Sequence, residues 1–219
     1  MGLPISFAER MRMRPSPIAL GALALVAVPV LAQQMPTTPP GALDPARVVA
    51  GTYGVDSAHT QILFEVNHLG FNSYYGIFGG ASGELTFDPA HPDAAKVSIV
   101  IPIDAVVTTS AELNTHLKAA DFFDAAHFPN ATFRSTAVTM VDATHAHIAG
   151  NLTLKGVTKP IVLDAQFTGA GPGMMNSPLQ VGFAARTDVK RSDFGMGFGT
   201  GLITDNVPLR ITVAFEKKG

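Results

Sequence analysis

From residue 51 onward the apolar side chains recur at every second position, in run after run, and no helix tolerates that period. Ile62, Phe64 and Val66 alternate with Gln61, Leu63 and Glu65. Val97, Ile99, Ile101 and Ile103 fall on one face. Phe133, Ser135, Ala137 and Thr139 oppose Arg134, Thr136 and Val138, and Ile148, Gly150, Leu152 and Leu154 oppose His147, Asn151 and Thr153. The same alternation covers 161–167, 179–185 and 207–215. A period of two puts one side of each run against a core and the other toward water. The pattern predicts eight strands, near 60–68, 76–88, 96–103, 131–141, 145–155, 158–169, 178–188 and 206–216, with a short strand at 52–56 ahead of them. Gaps are mostly short, which favours an antiparallel meander. Eight such strands close into a barrel, which removes the exposed edges. An eight-stranded barrel is either filled by its own side chains or holds one small ligand. The long gap at 104–130 holds one helical candidate, with Ser110 as its cap.

The chain begins differently. Arg10, Arg12 and Arg14 precede an apolar run from Ile18 to Val28, which Pro29 ends. Small residues at Val30 and Ala32 fit a signal-peptidase site, and the run is shorter than the ~20 residues a bilayer span needs. Residues 1–32 are expected to be a signal peptide cleaved after Ala32, which sends the product to the periplasm. Residues 33–50 carry four prolines and are expected to be a flexible linker. The domain is then 51–219.

Composition narrows the function classes. Losing Glu9 and the three arginines from a chain with 15 Lys+Arg and 17 Asp+Glu leaves a formal charge of −4. That is the wrong sign for a nucleic-acid surface. With no cysteine, the domain is held by its core alone and carries no lipid-modified Cys. No Gly-x-Ser-x-Gly elbow is present. Asp193-Phe194-Gly195 matches a kinase triplet without its partners. His145 and His147 share a strand face, but two ligands do not make a metal site. No metal is expected.

An ordered set of short blocks carries a family resemblance. Tyr53 to Thr60 (YGVDSAHT), Phe64 to Gly70 (FEVNHLG), Gly76-Ile77-Phe78 with Gly83 to Asp88 (GELTFD), His116-Leu117-Lys118 with Asp121 to Asp124 (DFFD), Gly150 to Lys159 (GNLTLKGVTK) and Arg191 to Met196 (RSDFGM) resemble the YceI-like family, in the right order. The central block departs from the family pattern: Leu113-Asn114-Thr115 stands where relatives often carry Arg-Asp. The resemblance implies an all-β, eight-stranded antiparallel lipocalin-like barrel with an apolar tunnel. It also implies periplasmic binding or carriage of a long isoprenoid lipid, either an isoprenoid quinone or a prenyl pyrophosphate, with no catalytic activity and no further cofactor. A homodimer and transient membrane contact stay open.

Candidate tunnel residues are Phe64, Val66, Phe87, Ile99, Ile101, Phe133, Leu152, Leu154, Phe167, Phe183, Phe194, Met196 and Phe198. Candidate head-group partners are Asn67, His68, His116 and Arg191. Imidazole offers a donor and an acceptor, and the guanidinium fork suits phosphate. Two alternatives remain at this point. One is an enzyme acting on such a lipid, with His68 and Asp121 as acid and base. The other is a stress-related interaction scaffold with a filled barrel. The export reading makes a direct prediction: N-terminal sequencing of the protein from a periplasmic extract gives Gln33 as the first residue, whereas a product retaining Met1 or Gly2 would contradict it.

Overall fold

The computed structural model of the protein describes residues 37–174 and 177–219. The expected signal peptide and the first residues of the linker lie outside the described residues. Among the described residues no helix is long and apolar enough to cross a membrane.

The strands are β1 (Gly51–Val55), β2 (Gln61–His68), β3 (Asn72–Phe78), β4 (Ser82–Phe87), β5 (Lys96–Pro102), β6 (Val106–Val107), β7 (Asn130–Met140), β8 (His145–Leu154), β9 (Val157–Pro172), β10 (Leu179–Lys190) and β11 (Asn206–Lys217). One helix, α1 (Ala111–Leu117), lies in the expected gap. The Ser110 hydroxyl caps it by accepting from the Leu113 amide at 3.2 Å. Eight strands close an antiparallel barrel in the order β1-β4-β5-β7-β8-β9-β10-β11 and back to β1. β2, β3 and β6 form a flap that continues from β11.

Two details of the strand reading are corrected. The run expected as one strand over 76–88 breaks at Gly79–Ala81, where Gly80 takes a φ of +67°. The break sends β3 to pair with β2 and β6, and β4 to pair with β1 and β5. Consequently the short strand β1, not β2, is the barrel member. β11 serves both: Phe215 to Lys217 pair with β1, and Leu209 to Thr212 pair with β2.

On β7 the alternation is interrupted. Ser135 pairs with Gly150, and Ala137 with Ala149, so Thr136 is an extra residue, a β-bulge. Beyond it the faces exchange. Phe133 points inward, and so do Val138 and Met140, where simple alternation put Thr139. The Ser135 hydroxyl occupies the irregular step by accepting from the Val97 amide at 2.8 Å.

Strand ends follow turn chemistry. Between β8 and β9 only Lys155 and Gly156 intervene, at φ +49° and +74°. Positive φ at both positions is the twist-matched two-residue hairpin. The linker is also shorter than its composition suggests. Ala42 exchanges backbone hydrogen bonds with Ala170 at 3.0 and 2.9 Å. A 3-10 turn at Pro45–Arg47, capped by Asp44, then delivers Val48 into the core. Proline here fixes a turn instead of keeping the chain loose.

Phe133 needs an empty place on β8. A Cβ at Gly150 would overlap the Phe133 ring and lie 2.6 Å from the Arg134 carbonyl oxygen, which is backbone and cannot step aside. Gly150→Ala is expected to destabilise the domain by about 1–3 kcal/mol, the usual effect of overpacking, as a lower urea midpoint.

Candidate functional site: an apolar cavity with one open end

The barrel interior encloses a cavity of about 570 Å³. Its origin is a row of small residues. Ala146 pairs with Ala165, and Ala165 pairs with Ala185, so three adjacent strands present methyl groups at one level of the barrel. Larger neighbours surround that level: Ile148, Leu163, Ile211, Ile62 and Phe133 line the same space. Beside the row, Phe167, Phe183 and Phe215 form an edge-on ladder with ring centres 5.8 and 6.2 Å apart.

The two ends of the barrel differ. At one end lie the β4–β5 connection, the 3-10 turn at Pro45 and the β7–β8 hairpin, and there the lining reaches solvent through Pro45, Pro89, Asp142 and Ala143. At the other end, Ile103, Leu117, Phe194, Met196, Val189 and Val207 are packed into one buried cluster. α1 and the β10–β11 connection therefore seal the cavity from below, and its mouth is the hairpin end.

The hairpin tip is highly organised. The Asp142 carboxylate accepts from the Thr144 amide at 2.7 Å, the His145 amide at 2.8 Å and the Thr144 hydroxyl at 3.1 Å. The His145 Nδ1 sits 2.9 Å from both carboxylate oxygens. Bonds from the Thr144 amide and from the His145 ring hold the Asp142 carboxyl down at about 2, so it is ionised at neutral pH. Asp142, Thr144 and His145 all line the mouth, with Thr60 and Thr187 the remaining polar residues of the lining.

A model of the YceI-like domain matches residues 53–215. The chain belongs to the YceI-like family. Among relatives of this YceI-like chain, the protein YceI of Salmonella arizonae is 38% identical over 167 residues, which is 75% of this chain and 86% of the relative. The solved Campylobacter jejuni YCEI protein superposes with a TM-score of 0.61 at 33% identity, covering 70% of this chain and 90% of that one. A polyisoprenoid binding domain from Saccharophagus degradans shares the fold, with a TM-score of 0.57 at 18% identity over 76% of this chain and 98% of its own.

The structure divides the candidate tunnel residues. Phe87, Ile99, Ile101, Phe133, Leu152, Phe167 and Phe183 line the cavity. Phe64, Val66, Leu154, Phe194, Met196 and Phe198 do not. Phe64 and Val66 are on β2, in the flap that continues from β11, and Phe64 packs on Phe78 at 5.7 Å. Leu154, Phe194 and Met196 belong to the sealed end. Phe198 is 54% exposed and packs edge-on against His116 and Phe122.

None of the four expected head-group partners reaches the cavity lining. Asn67 closes the β2–β3 turn by accepting from the Gly70 amide, and His68 is exposed beside Tyr74. His116 is exposed on α1. Arg191 is buried and spent on its own backbone. Nε donates to the Thr204 carbonyl, Nη1 to those of Met196 and Phe198, and Nη2 to that of Ile203, at 2.7–3.1 Å. Burial pulls its pKa below the ordinary guanidinium value, while nearby Asp205 opposes that shift.

Sequence reasoning missed the mouth and the alanine row. The Asp-x-Thr-His spelling of a turn that binds its own backbone was available as a signal for the first. The second needs strand register, which alternation alone does not supply. The arrangement of Arg191 yields a discriminating prediction. Arg191→Met, which strands buried carbonyls, is expected to lower stability by at least ~2 kcal/mol by denaturant titration. Any lipid affinity of the folded fraction should be unchanged; a loss of binding at full stability would restore Arg191 as a head-group partner.

Proposed function

We propose that the protein is an exported, periplasmic carrier of a long isoprenoid lipid, a quinone-type lipid or a prenyl pyrophosphate, held with its tail in the barrel. The observation that carries this reading is the apolar cavity left by the Ala146–Ala165–Ala185 row, open at one end only. A prenyl chain is apolar along its length and gains roughly 0.8 kcal/mol for each CH₂ withdrawn from water. A cavity of about 570 Å³ falls within the range of pockets that enclose small-molecule ligands. That the Saccharophagus degradans domain with the same fold is a polyisoprenoid binding domain agrees with it.

The alternatives fit less well. A scaffold with a filled barrel has no use for three facing alanines. A lipid-modifying enzyme built on His68 and Asp121 would need both at the bound lipid. Neither lines the cavity.

Native mass spectrometry of the protein purified from a periplasmic extract tests the carrier reading. An adduct matching an isoprenoid lipid is expected, and organic extraction identifies it. Ala165→Phe, which places a phenyl group in the row, is expected to keep the melting transition and lose the adduct. A wild-type protein that stays lipid-free after incubation with prenyl lipids would overturn the reading.

A further inference from the structure

Phe71 and Leu202 are the two most exposed large apolar side chains among the described residues, at 85% and 65%. They stand on two loops that are tied together. The Leu69 amide, in the β2–β3 turn, donates to the Leu202 carbonyl at 2.8 Å, and His68 pairs with Ile203. Leu69 and Phe198, 44% and 54% exposed, flank them. The second loop belongs to the β10–β11 connection that seals the barrel, so this apolar tip lies at the end opposite the mouth.

The backbone marks Leu69 as an unusual choice. Leu69 and Gly70 both take positive φ, +57° and +75°, in a turn closed by the Phe71 amide donating to the His68 carbonyl at 3.1 Å. Glycine, Asn or Asp suits that region, where a Cβ is crowded. A branched apolar side chain held there and turned to water serves neither the turn nor the core. Strain of this kind collects at functional positions.

Charge separates the possible occupants. No Asp, Glu, Lys or Arg occurs from Val66 to Gly83 or from Phe194 to Thr204, although charged residues make up 15% of the chain. The four side chains expose roughly 500 Å², taking about 200 Å² for a whole one, against the ~800 Å² per partner of a stable protein interface. A bilayer sets no such minimum, because each apolar side chain gains on its own as it leaves water. It does penalise free backbone groups, and those of the tip are already engaged. The Gly70 amide donates to the Asn67 side-chain oxygen at 2.8 Å, and the Leu202 and Ile203 amides donate to the Gly199 carbonyl at 3.0 Å. Arg191 takes the carbonyls of Phe198 and Ile203.

We propose that this tip docks the protein on a zwitterionic lipid bilayer, with Leu69, Phe71 and Leu202 entering the boundary between head groups and acyl chains. With no cation in either loop, the docking needs no anionic lipid and is insensitive to salt. It is independent of what the barrel holds, and it leaves the mouth turned away from the bilayer.

The chain has no Trp, so a single introduced Trp reports without background. The exported protein carrying Phe71→Trp is titrated with phosphatidylcholine vesicles, with and without bromine on the acyl chains. Val162→Trp, at an exposed apolar position on the barrel wall, is the control. Emission of Phe71→Trp is expected to shift to the blue and to be quenched by the brominated lipid, equally at low and high salt, while the control keeps its emission in buffer. Leu69→Asn, added to Phe71→Trp, is expected to melt no lower and to raise the lipid concentration for half the shift by about tenfold, the loss of one inserted apolar side chain. Unchanged Phe71→Trp emission at millimolar lipid overturns the docking. So does an equal shift in the control, which marks general adsorption. A blue shift that grows with protein concentration without vesicles overturns it in favour of a second copy of the chain. Binding that requires anionic lipid overturns the charge argument, and an unchanged half-point in Leu69→Asn removes Leu69 from the tip.

Discussion

Closure of the barrel depends on five residues. Among the described residues β1, Gly51–Val55, is the only strand that pairs with both β4 and β11, and without it the sheet would be an open, curled ribbon with two edges. An open sheet cannot exclude water from its concave face, so the cavity exists only because this short strand is held. Its centre is Tyr53, fully buried, whose hydroxyl donates to the Val49 carbonyl. Burial pushes the Tyr53 phenol up, with the hydrogen bond to Val49 opposing, so the group stays neutral where it is needed as a donor. Val48, brought in by the Pro45 turn, packs in the same cluster. The proline-rich approach to the domain thus locks the closing strand.

That dependence explains which parts of the structure were legible in the sequence. Alternation depends on local sterics and burial, and it located nearly every strand of the barrel wall and the inner face of β8 to β11. It failed where the chain departs from a uniform ladder. Gly80 divides one apparent strand into two, and Thr136 shifts the phase of β7. A pattern of period two carries no mark of either event. Phe194 and Met196 show a second limit. Their hydrophobicity announced burial correctly, but a core and a ligand pocket want the same side chains, so only the register could separate the sealed end from the open one.

Polar residues were harder still. Arg191 and His68 are conspicuous because their chemistry suits an anionic head group, yet Arg191 is used to gather carbonyls of the 196–204 loop. A buried guanidinium with several carbonyl partners gives a loop without regular secondary structure a fixed shape. Asp205, held below the usual carboxylate range by the Ser192 hydroxyl and amide, anchors the other side of the same loop. The rigid base of the barrel is therefore built largely by polar chemistry, and the ligand space above it by the absence of side-chain volume.

The extra residue on β7 separates two jobs that a single strand would otherwise have to share. Before Thr136, odd-numbered residues face the interior and belong to the lower wall; after it, even-numbered residues do, and they lead into the hairpin that frames the mouth. Substitutions in the segment after the bulge can therefore alter what the opening admits while the packing at Phe133 stays as it is. The bulge makes the entrance a module, free to diversify on a container whose lower wall remains constant.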